Sequence, residues 1–365
     1  MADAQRALLK EYELCSRCLA RQAGAAHARK QVEKCYICRG LMLRLDELAD
    51  RMLASAKQYQ FDTFLVGATL PTQLYEREDA LRARLKIRGR ESVKSQLTRE
   101  LGLRLSKKLT GKKVDYGRPD VAINIIIDKD GGIEVAARSR PLAVQGVYTK
   151  KHRGLEQKEA KCPMCLGKGC NLCDNSGLAG FESSIEGIIA KHLMSATGGQ
   201  SPRFSWVGSE DRDSLVLGGG RPFFAKISDP KVRRPKMKFV QAGVQARITA
   251  ILDDIPDTQA RFSVKTRIAA RCDRPVVQSD IKTLRSLAGA EAKFQNRSKI
   301  AVKKIHSIHA KKTGESELQL TIVADGGLPI KQFVGGEEYM EPNVSKVLNA
   351  KCECVTFDVL AVKMQ

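Results

Sequence analysis

Eight of the eleven cysteines stand in four C-x-x-C pairs, the spacing of a metal-binding knuckle. Two residues between cysteines let both thiolates of a pair reach one ion, and a second pair completes a tetrahedron. The pairs form two groups along the chain, Cys15, Cys18, Cys35 and Cys38 in the first and Cys162, Cys165, Cys170 and Cys173 in the second. We therefore expect two structural zinc sites. The alternative at the first group is an iron–sulfur cluster and at the second a close-packed redox pair, and pairs from different groups could also combine.

A second concentration of reactive side chains is the acidic loop at residues 208–213, with the sequence GSEDRD. A short acidic motif of this kind is by itself most often a solvated turn. A glycine run at residues 218–220 follows it, and Pro222 and a strand-like segment come next instead of a helix. Because a nucleotide-binding glycine loop leads into a helix, these glycines predict a hairpin turn and argue against a dinucleotide or methyl-donor pocket.

The charge of the chain predicts a polyanionic partner. Lysine and arginine number 63 against 41 aspartates and glutamates, so the formal net charge is +22. Residues 82–113 contain twelve basic and two acidic side chains, and residues 231–238 contain five basic side chains. A solvated helix face would normally mix the two signs, so these runs favour binding to phosphates, and we expect RNA as the partner. Aromatic residues make up only 5% of the chain, which leaves few places for base stacking.

Hydrophobic periodicity predicts the elements that position these residues. Helices are expected from Leu41 to about Gln58 and from Ser92 to Leu109, the second with apolar residues at i, i+4 spacing. Two strand-like segments within residues 121–137 predict a hairpin. Residues 183–186 (SSIE) form a capping box that opens a helix ending by Gly198.

Length and composition indicate a soluble, folded protein of two or three domains, with 42% hydrophobic and 28% charged residues in 365. We place a domain boundary near residue 178. The sequence contains no run of eighteen apolar residues, so we expect no membrane span. The first residues lack the layout of a secretory signal, and we therefore expect a cytoplasmic location. The remaining Cys272, Cys352 and Cys354 are expected to be small buried residues.

Four stretches carry a resemblance to a known family: CPMCLGKGCNLCDNSG, SSIEGIIAKHL, GSEDRDSLVLGGGRPFFAKISDP and GGLPIKQFVGGEEYMEPNVSKVLN. They resemble the archaeal and eukaryotic tRNA pseudouridine synthases that act on the T-arm, the Pus-ten family. The resemblance implies an α/β (α+β) protein. Residues 1–178 would be a zinc-knuckle and THUMP-like RNA-binding accessory domain, and residues 179–365 a catalytic domain with a mixed, largely antiparallel sheet.

The resemblance also implies a chemistry: isomerisation of uridine to pseudouridine at positions 54 and 55 of tRNA, with an aspartate carboxylate and no organic cofactor. The catalytic aspartate falls on Asp211, its basic partner on Lys331 and an apolar neighbour on Ile330. Asp213 is expected to structure the loop. tRNA is the implied partner, and neither a membrane nor an obligate protein partner is expected. The candidates for RNA binding are Arg221, Arg233, Arg234, Lys236, Arg267, Lys303 and Lys304.

The chain departs from the family pattern at three single positions and in the family's basic H-R-R segment, which residues 299–304 (KIAVKK) replace. Ser209 stands in place of an arginine, Pro329 in place of a tyrosine, and Arg267 in place of the tyrosine that stacks on the target base. Phe262 is the aromatic residue nearest to that position. These departures support an alternative, a catalytically weak or inactive tRNA-binding or chaperone protein on the same scaffold. A THUMP-bearing methyltransferase or thiolase is a third hypothesis, which no phosphate-binding loop supports.

RNA binding is predicted to depend strongly on salt, because the basic runs at residues 82–113 and 231–238 would displace counterions from phosphates. With about six phosphates contacted, the affinity for tRNA should fall about a thousandfold between roughly 50 and 200 mM salt. Filter binding or fluorescence anisotropy across that range measures the slope. A flat response would mean that these runs are solvated surface.

Overall fold

The computed structural model describes residues 8, 10–24, 32, 34–257, 261–296, 299–336 and 339–364. The chain divides into two units. The N-terminal unit comprises Met1–Arg140 together with Asp229–Arg233, and the C-terminal unit comprises Pro141–Ser228 and Arg234–Gln365. No helix in the described ranges is long and apolar enough to cross a membrane.

The N-terminal unit packs helices on a sheet with strand order β2-β1-β3-β4. Strand β1 is parallel to β2 and β3, whereas β3 and β4 form the expected antiparallel hairpin. The elements in chain order are α1 (Ser16–Ala23), a 3-10 turn (Leu41–Leu43), α2 (Leu45–Ala56), β1 (Thr63–Thr69), α3 (Thr72–Leu85), α4 (Val93–Lys108), β2 (Lys113–Val114), β3 (Val121–Ile127) and β4 (Ile133–Ser139).

Both helices expected in this unit are present, with small differences at their ends. Helix α4 begins after Ser92, whose hydroxyl accepts a hydrogen bond from the backbone N–H of Ser95 at 3.1 Å and so caps the helix. Its apolar stripe packs against α2 and β1 and is fully buried. The stripe consists of Val93, Leu97, Leu101 and Leu105.

The short segment Asp229–Arg233 belongs to the N-terminal unit because its charged side chains are bound there. A carboxylate oxygen of Asp229 accepts the backbone N–H of Ser139 at 2.8 Å. The Nε of Arg233 lies 3.0 Å from a carboxylate oxygen of Asp120, and its Nη1 donates to the carbonyl oxygen of Arg140 at 2.7 Å. Part of the basic run at residues 231–238 is therefore engaged in internal contacts.

The C-terminal unit is built on a ten-stranded sheet in its described residues, with the order β11-β12-β13-β10-β14-β7-β5-β9-β8 and with β6 paired to β7. Its elements are β5 (Leu142–Lys150), a 3-10 turn (Asn171–Cys173), α5 (Ile185–Thr197), β6 (Gln200–Trp206), β7 (Val216–Ser228), β8 (Lys238–Gln241), β9 (Val244–Leu252), β10 (Phe262–Cys272), α6 (Gln278–Arg285), β11 (Glu291–Asn296), β12 (Lys299–Lys312), β13 (Glu317–Asp325), α7 (Ile330–Gly335), α8 (Val344–Leu348) and β14 (Cys352–Met364).

The sheet confirms the mixed, largely antiparallel architecture. Strands β14 and β7 run parallel, and the other pairings of the sheet's described residues are antiparallel. Helix α5 begins after Ser184, which caps it through the N–H of Gly187, so the cap lies one residue later than the predicted capping box at residues 183–186. The helix ends at Thr197, just before Gly198, as expected.

The hairpin predicted at the glycine run is wrong, because residues 216–228 form one continuous strand. Gly218 and Gly220 have φ angles of 55° and 75°, which favour glycine over other residues. A Cβ at Gly218 would lie 2.7 Å from the carbonyl oxygen of Leu360, and one at Gly220 would lie 2.6 Å from that of Tyr148. The glycines thus let β14 and β5 approach β7 from either side.

The division between the units differs from the expected boundary near residue 178. Strand β5 pairs with β7 and β9 at the centre of the C-terminal sheet, so the chain has already entered the second unit at Pro141. The second cysteine group therefore lies in the C-terminal unit. Sequence did not reveal this, because the partners of β5 lie about seventy to one hundred residues later in the chain.

The three cysteines outside the two groups differ from one another. Cys272 on β10 and Cys352 on β14 are paired across the sheet, buried as expected and joined by a disulfide. Cys354 is a free thiol and half-buried, and burial raises its pKa to about 11.

Helix α4 supplies a test of the N-terminal core. Leu101 is fully buried, whereas Leu103 on the same helix is 53% exposed. Leu101→Ala should lower the free energy of unfolding by about 2–5 kcal/mol, because it removes buried apolar surface and leaves a cavity. Urea denaturation followed by circular dichroism measures the change. Leu103→Ala is the control and should change stability by less than about 0.5 kcal/mol; equal losses would contradict the packing described.

Candidate active site

A cavity of about 470 Å³ lies in the C-terminal unit against strands β10, β13 and β14. The acidic loop forms one wall with residues 208–211, and the segment leading into α7 forms another with residues 327–330. The volume falls within the range of about 300–1,000 Å³ that is usual for small-ligand pockets. The fold therefore brings the two stretches that sequence singled out to a single pocket.

An ion pair joins these two walls. Nζ of Lys331, in the first turn of α7, lies 2.6 Å from Oδ2 of Asp211, although the residues are 120 positions apart in sequence. The other carboxylate oxygen of Asp211 accepts the backbone N–H of Asp213 at 3.0 Å. The hydrogen bond from Lys331 and then that from Asp213 lower the pKa of Asp211, so the carboxylate is ionised at neutral pH. The same hydrogen bond raises the pKa of Lys331.

Two aromatic residues line the pocket, Phe357 on β14 and Phe262 on β10. Phe262 shares its face of the strand with Val264 and Thr266. Glycines make room for its ring, since a Cβ at Gly326 would lie 2.0 Å from the ring and one at Gly208 would lie 2.9 Å from it. The pocket thus offers an apolar, aromatic surface in the same cavity as the ionised carboxylate.

The first cysteine group has the geometry of a tetrahedral metal site. The four sulfur atoms of Cys15, Cys18, Cys35 and Cys38 are buried and lie within 4.8 Å of one another. Sγ of Cys15 is 3.7 Å from Sγ of Cys38. A tetrahedron with zinc–sulfur bonds of about 2.3 Å has edges of about 3.8 Å, so the thiolates fit zinc.

The second group fits equally well. Its sulfur atoms, from Cys162, Cys165, Cys170 and Cys173, also lie within 4.8 Å of one another, with separations of 3.7–4.0 Å between the neighbouring pairs. The backbone N–H groups of Gly169 and Gly177 donate to the sulfurs of Cys165 and Cys173 at 3.2 and 3.3 Å. Such donors stabilise thiolates that share an ion. The structure also keeps the groups separate, so pairs are not exchanged between them.

Comparison with known proteins places these features in a family. Residues 143–363 match the family model described as "Pus10, C-terminal", and residues 48–128 match that described as "Pus10 THUMP domain, archaeal". The first match covers more than half of the chain. This chain belongs to the Pus10 family. The THUMP match falls within the N-terminal unit, and the C-terminal match falls within the C-terminal unit apart from Asp229–Arg233.

Two curated members of the Pus10 family illustrate the similarity, and both are named tRNA pseudouridine synthase Pus10. The protein of Nitrosopumilus maritimus is 34% identical, with 98% of this chain and 97% of the relative aligned. That of Cenarchaeum symbiosum is 33% identical, with 95% and 89% aligned. Among solved structures, a Cbf5-Nop10-Gar1 complex aligns over 59% of this chain and 57% of its own, at a TM-score of 0.31 and 8% identity, and no conclusion rests on it.

The residues singled out for catalysis by the Pus10 resemblance meet at the pocket. Asp211 and Ile330 line it, and Lys331 is bound to Asp211 at its edge. Arg221 also lines it, but its side chain is only 2% exposed, and its guanidinium donates to the carbonyl oxygens of Val207 and Ser209 at 3.0 and 2.9 Å. Arg221 therefore supports the acidic loop instead of offering an exposed cation.

The other basic candidates lie in different surroundings. Lys303 borders the pocket, since its side chain would come within 3.5 Å of a Cβ at Gly327. Lys304, Arg234 and Lys236 are exposed, and Arg267 is exposed on the face of β10 opposite to the pocket-lining residues. Arg233 lies outside this unit and is paired with Asp120.

Two features of the site were missed by sequence reasoning. Asp325, at the end of β13, lines the pocket and accepts a hydrogen bond from His306 at 2.8 Å. Lys150, at the end of β5, is bound to the acidic loop from inside the unit. No sequence motif distinguishes either residue, because only the pairing of distant strands brings them to Asp211.

Proposed function

We propose that this protein is a tRNA pseudouridine synthase that acts on uridines 54 and 55 of the T-arm. The observation that carries the proposal is the ion pair between Asp211 and Lys331 at a nucleotide-sized pocket. The pocket lies within the segment that matches the Pus10 C-terminal model, and relatives similar over nearly their full length are named as tRNA pseudouridine synthases. Since tRNA would be the substrate, we infer a cytoplasmic location.

The pocket suits the chemistry of this isomerisation. The bond between ribose C1′ and N1 of uracil breaks, the base turns, and C1′ joins C5, while the hydrogen leaves C5 and N1 gains one. Atoms and electrons balance, so no organic cofactor is needed. The ionised carboxylate of Asp211 would act as nucleophile or as base, and Lys331 keeps it charged.

The surroundings of the pocket suit an RNA substrate. A base inside a helix cannot reach a catalytic carboxylate, so it has to leave the stack and enter the pocket. Phe262 would then supply an aromatic surface for the base, and Lys303 and Lys304 would bind the neighbouring phosphates.

The inactive-scaffold alternative rested on the departures at Ser209, Pro329 and Arg267, of which Arg267 replaces the tyrosine expected to stack on the base. That position lies on the other face of β10, and Phe262 brings an aromatic ring to the pocket. The argument from Arg267 thus loses its physical basis, and we favour the active enzyme.

Asp211→Asn is expected to abolish pseudouridine formation, because an amide cannot replace a carboxylate at C1′. Tritium release from tRNA labelled at uridine C5 measures the reaction. The affinity for tRNA should stay close to that of the wild-type protein, since binding rests on the basic surface.

Asp213→Asn is the matched comparison in the same loop. Only the backbone N–H of Asp213 contacts Asp211, so this variant should lose far less activity. If the wild-type protein is active and Asp211→Asn keeps its full rate, Asp211 is not the catalytic residue.

Zinc is proposed at both cysteine groups, where it would have a structural role because four thiolates leave no open coordination position. Metal analysis by mass spectrometry should find two zinc ions per chain. Cys173→Ser should lose one ion, whereas Cys354→Ser, which alters a free cysteine outside both groups, should keep two. Iron with visible absorption would instead indicate an iron–sulfur cluster, and less than one ion per chain would exclude both sites.

A further inference from the structure

We propose that Lys150 is a positioning residue for Asp211: its buried ammonium group holds the backbone of the loop that carries the carboxylate. The inference rests on the proposed function, in which Asp211 is the catalytic residue. Lys150 itself is fully buried and does not line the pocket, so it would act on the reaction only through the loop.

The ammonium group of Lys150 is saturated by the acidic loop and the segment that follows β5. Nζ donates to the carbonyl oxygens of Asp211 at 3.3 Å, Arg212 at 3.2 Å and Leu155 at 3.0 Å. An ammonium has three N–H donors, so these carbonyls account for all of them. Oε1 of Glu210 lies 3.2 Å from Nζ and makes a Coulombic contact without a further hydrogen bond.

Arg221, on β7, binds the same loop, so two buried cations hold the backbone of the loop. Its hydrogen bonds go to the carbonyls of residues 207 and 209, and those of Lys150 go to residues 211 and 212. Four of six consecutive loop carbonyls are thus fixed by cations inside the unit. This arrangement leaves the Asp211 side chain turned to the pocket and Lys331 while its backbone is fixed.

The buried side chains around the loop carry a net positive charge when Asp211 is not counted. Glu210 is fully buried between the cations, with Oε2 accepting the Tyr148 hydroxyl at 2.8 Å and lying 3.6 Å from Nη1 of Arg221. One buried acid against two buried cations, Lys150 and Arg221, leaves one positive charge in excess. After the hydrogen bonds from Lys331 and the Asp213 N–H, the charge of Lys150 helps to lower the pKa of Asp211.

A buried lysine is a costly way to fill this position. Burying an ammonium group carries a large desolvation cost, and replacing a whole buried ion pair by apolar residues of similar volume is often neutral or stabilising. A methionine at position 150 could fill similar space but could not bind the carbonyls of Asp211 and Arg212. The lysine is therefore explained by the order and the positive charge that it gives to the loop.

The test compares Lys150→Met with Lys151→Met, which removes the same charge from the adjacent, exposed position. Lys150→Met is expected to lose stability, because three carbonyls and Glu210 lose their cation, but to remain folded, since Glu210 keeps Arg221 as its counter-charge. Its single-turnover rate at saturating protein should fall by about tenfold or more, as expected for a displaced catalytic group. Its Kd for tRNA should stay within about twofold of the wild-type value, and Lys151→Met should keep the wild-type rate.

A pH profile separates positioning from a merely structural role. The titratable groups around Asp211 include Lys331, Lys150, Cys354 and the acids Glu210, Asp213 and Asp325. Burial raises the pKa of Cys354 to about 11, so it stays neutral. Removing Lys150 is expected to raise the pKa of Asp211, so the carboxylate protonates at higher pH. The acid limb of the pH–rate profile therefore shifts to higher pH. Partial unfolding would instead lower the rate by the same factor at every pH and leave the acid limb at the wild-type pH.

Carboxyl-detected NMR of aspartate-labelled protein follows the same titration without substrate, with the Asp211 signal assigned from Asp211→Asn. A wild-type rate in Lys150→Met, or a loss of rate with an unmoved limb and an unmoved NMR titration, overturns the proposal. If the wild-type protein makes no pseudouridine, the proposed function fails instead. The NMR titration then still decides whether Lys150 sets the state of Asp211.

Discussion

The contact between Asp211 and Lys331 depends on the whole central part of the C-terminal sheet, because its partners are 120 residues apart. Asp211 precedes β7, and Lys331 begins the helix that packs on β14. These two strands are parallel neighbours, and they approach closely because Gly218 has no side chain to meet the backbone of β14. The carboxylate and the ammonium therefore meet only when the two halves of the sheet are joined in this register.

Positive charge serves two different purposes in this protein. Lys150 and Arg221 are buried and bind carbonyl oxygens of the acidic loop, so their charge acts inside the fold. Lys236 and Lys304 are exposed and contribute to the surface that a polyanion would meet. A net charge of +22 gives no means of separating these purposes, because it counts every lysine and arginine alike.

The loop that carries Asp211 is held by buried side chains on its inner side and faces the pocket on its outer side. Cations bind its backbone, Glu210 and Tyr148 complete the buried network, and the carboxylate of Asp211 remains at the pocket with Lys331. Dipoles and charges fixed before the substrate arrives need no reorganisation during the reaction, which is the main source of electrostatic catalysis. The proposed isomerisation, which involves no cofactor, would rely on this kind of preorganisation.

Sequence alone determined the features that depend on neighbours in the chain: both cysteine groups, the helix stripe ending at Leu105 and the helix that begins at Ile185. The candidates Asp211 and Lys331 came from the family resemblance and not from a local pattern. Knuckle spacing, periodicity and caps are local, so they can be recognised in the sequence. Tertiary structure decided the rest. It made the glycine run a strand, moved the boundary to Pro141, turned Arg267 away from the pocket and brought Lys150 to the loop, because strand pairing over long separations has no local signature.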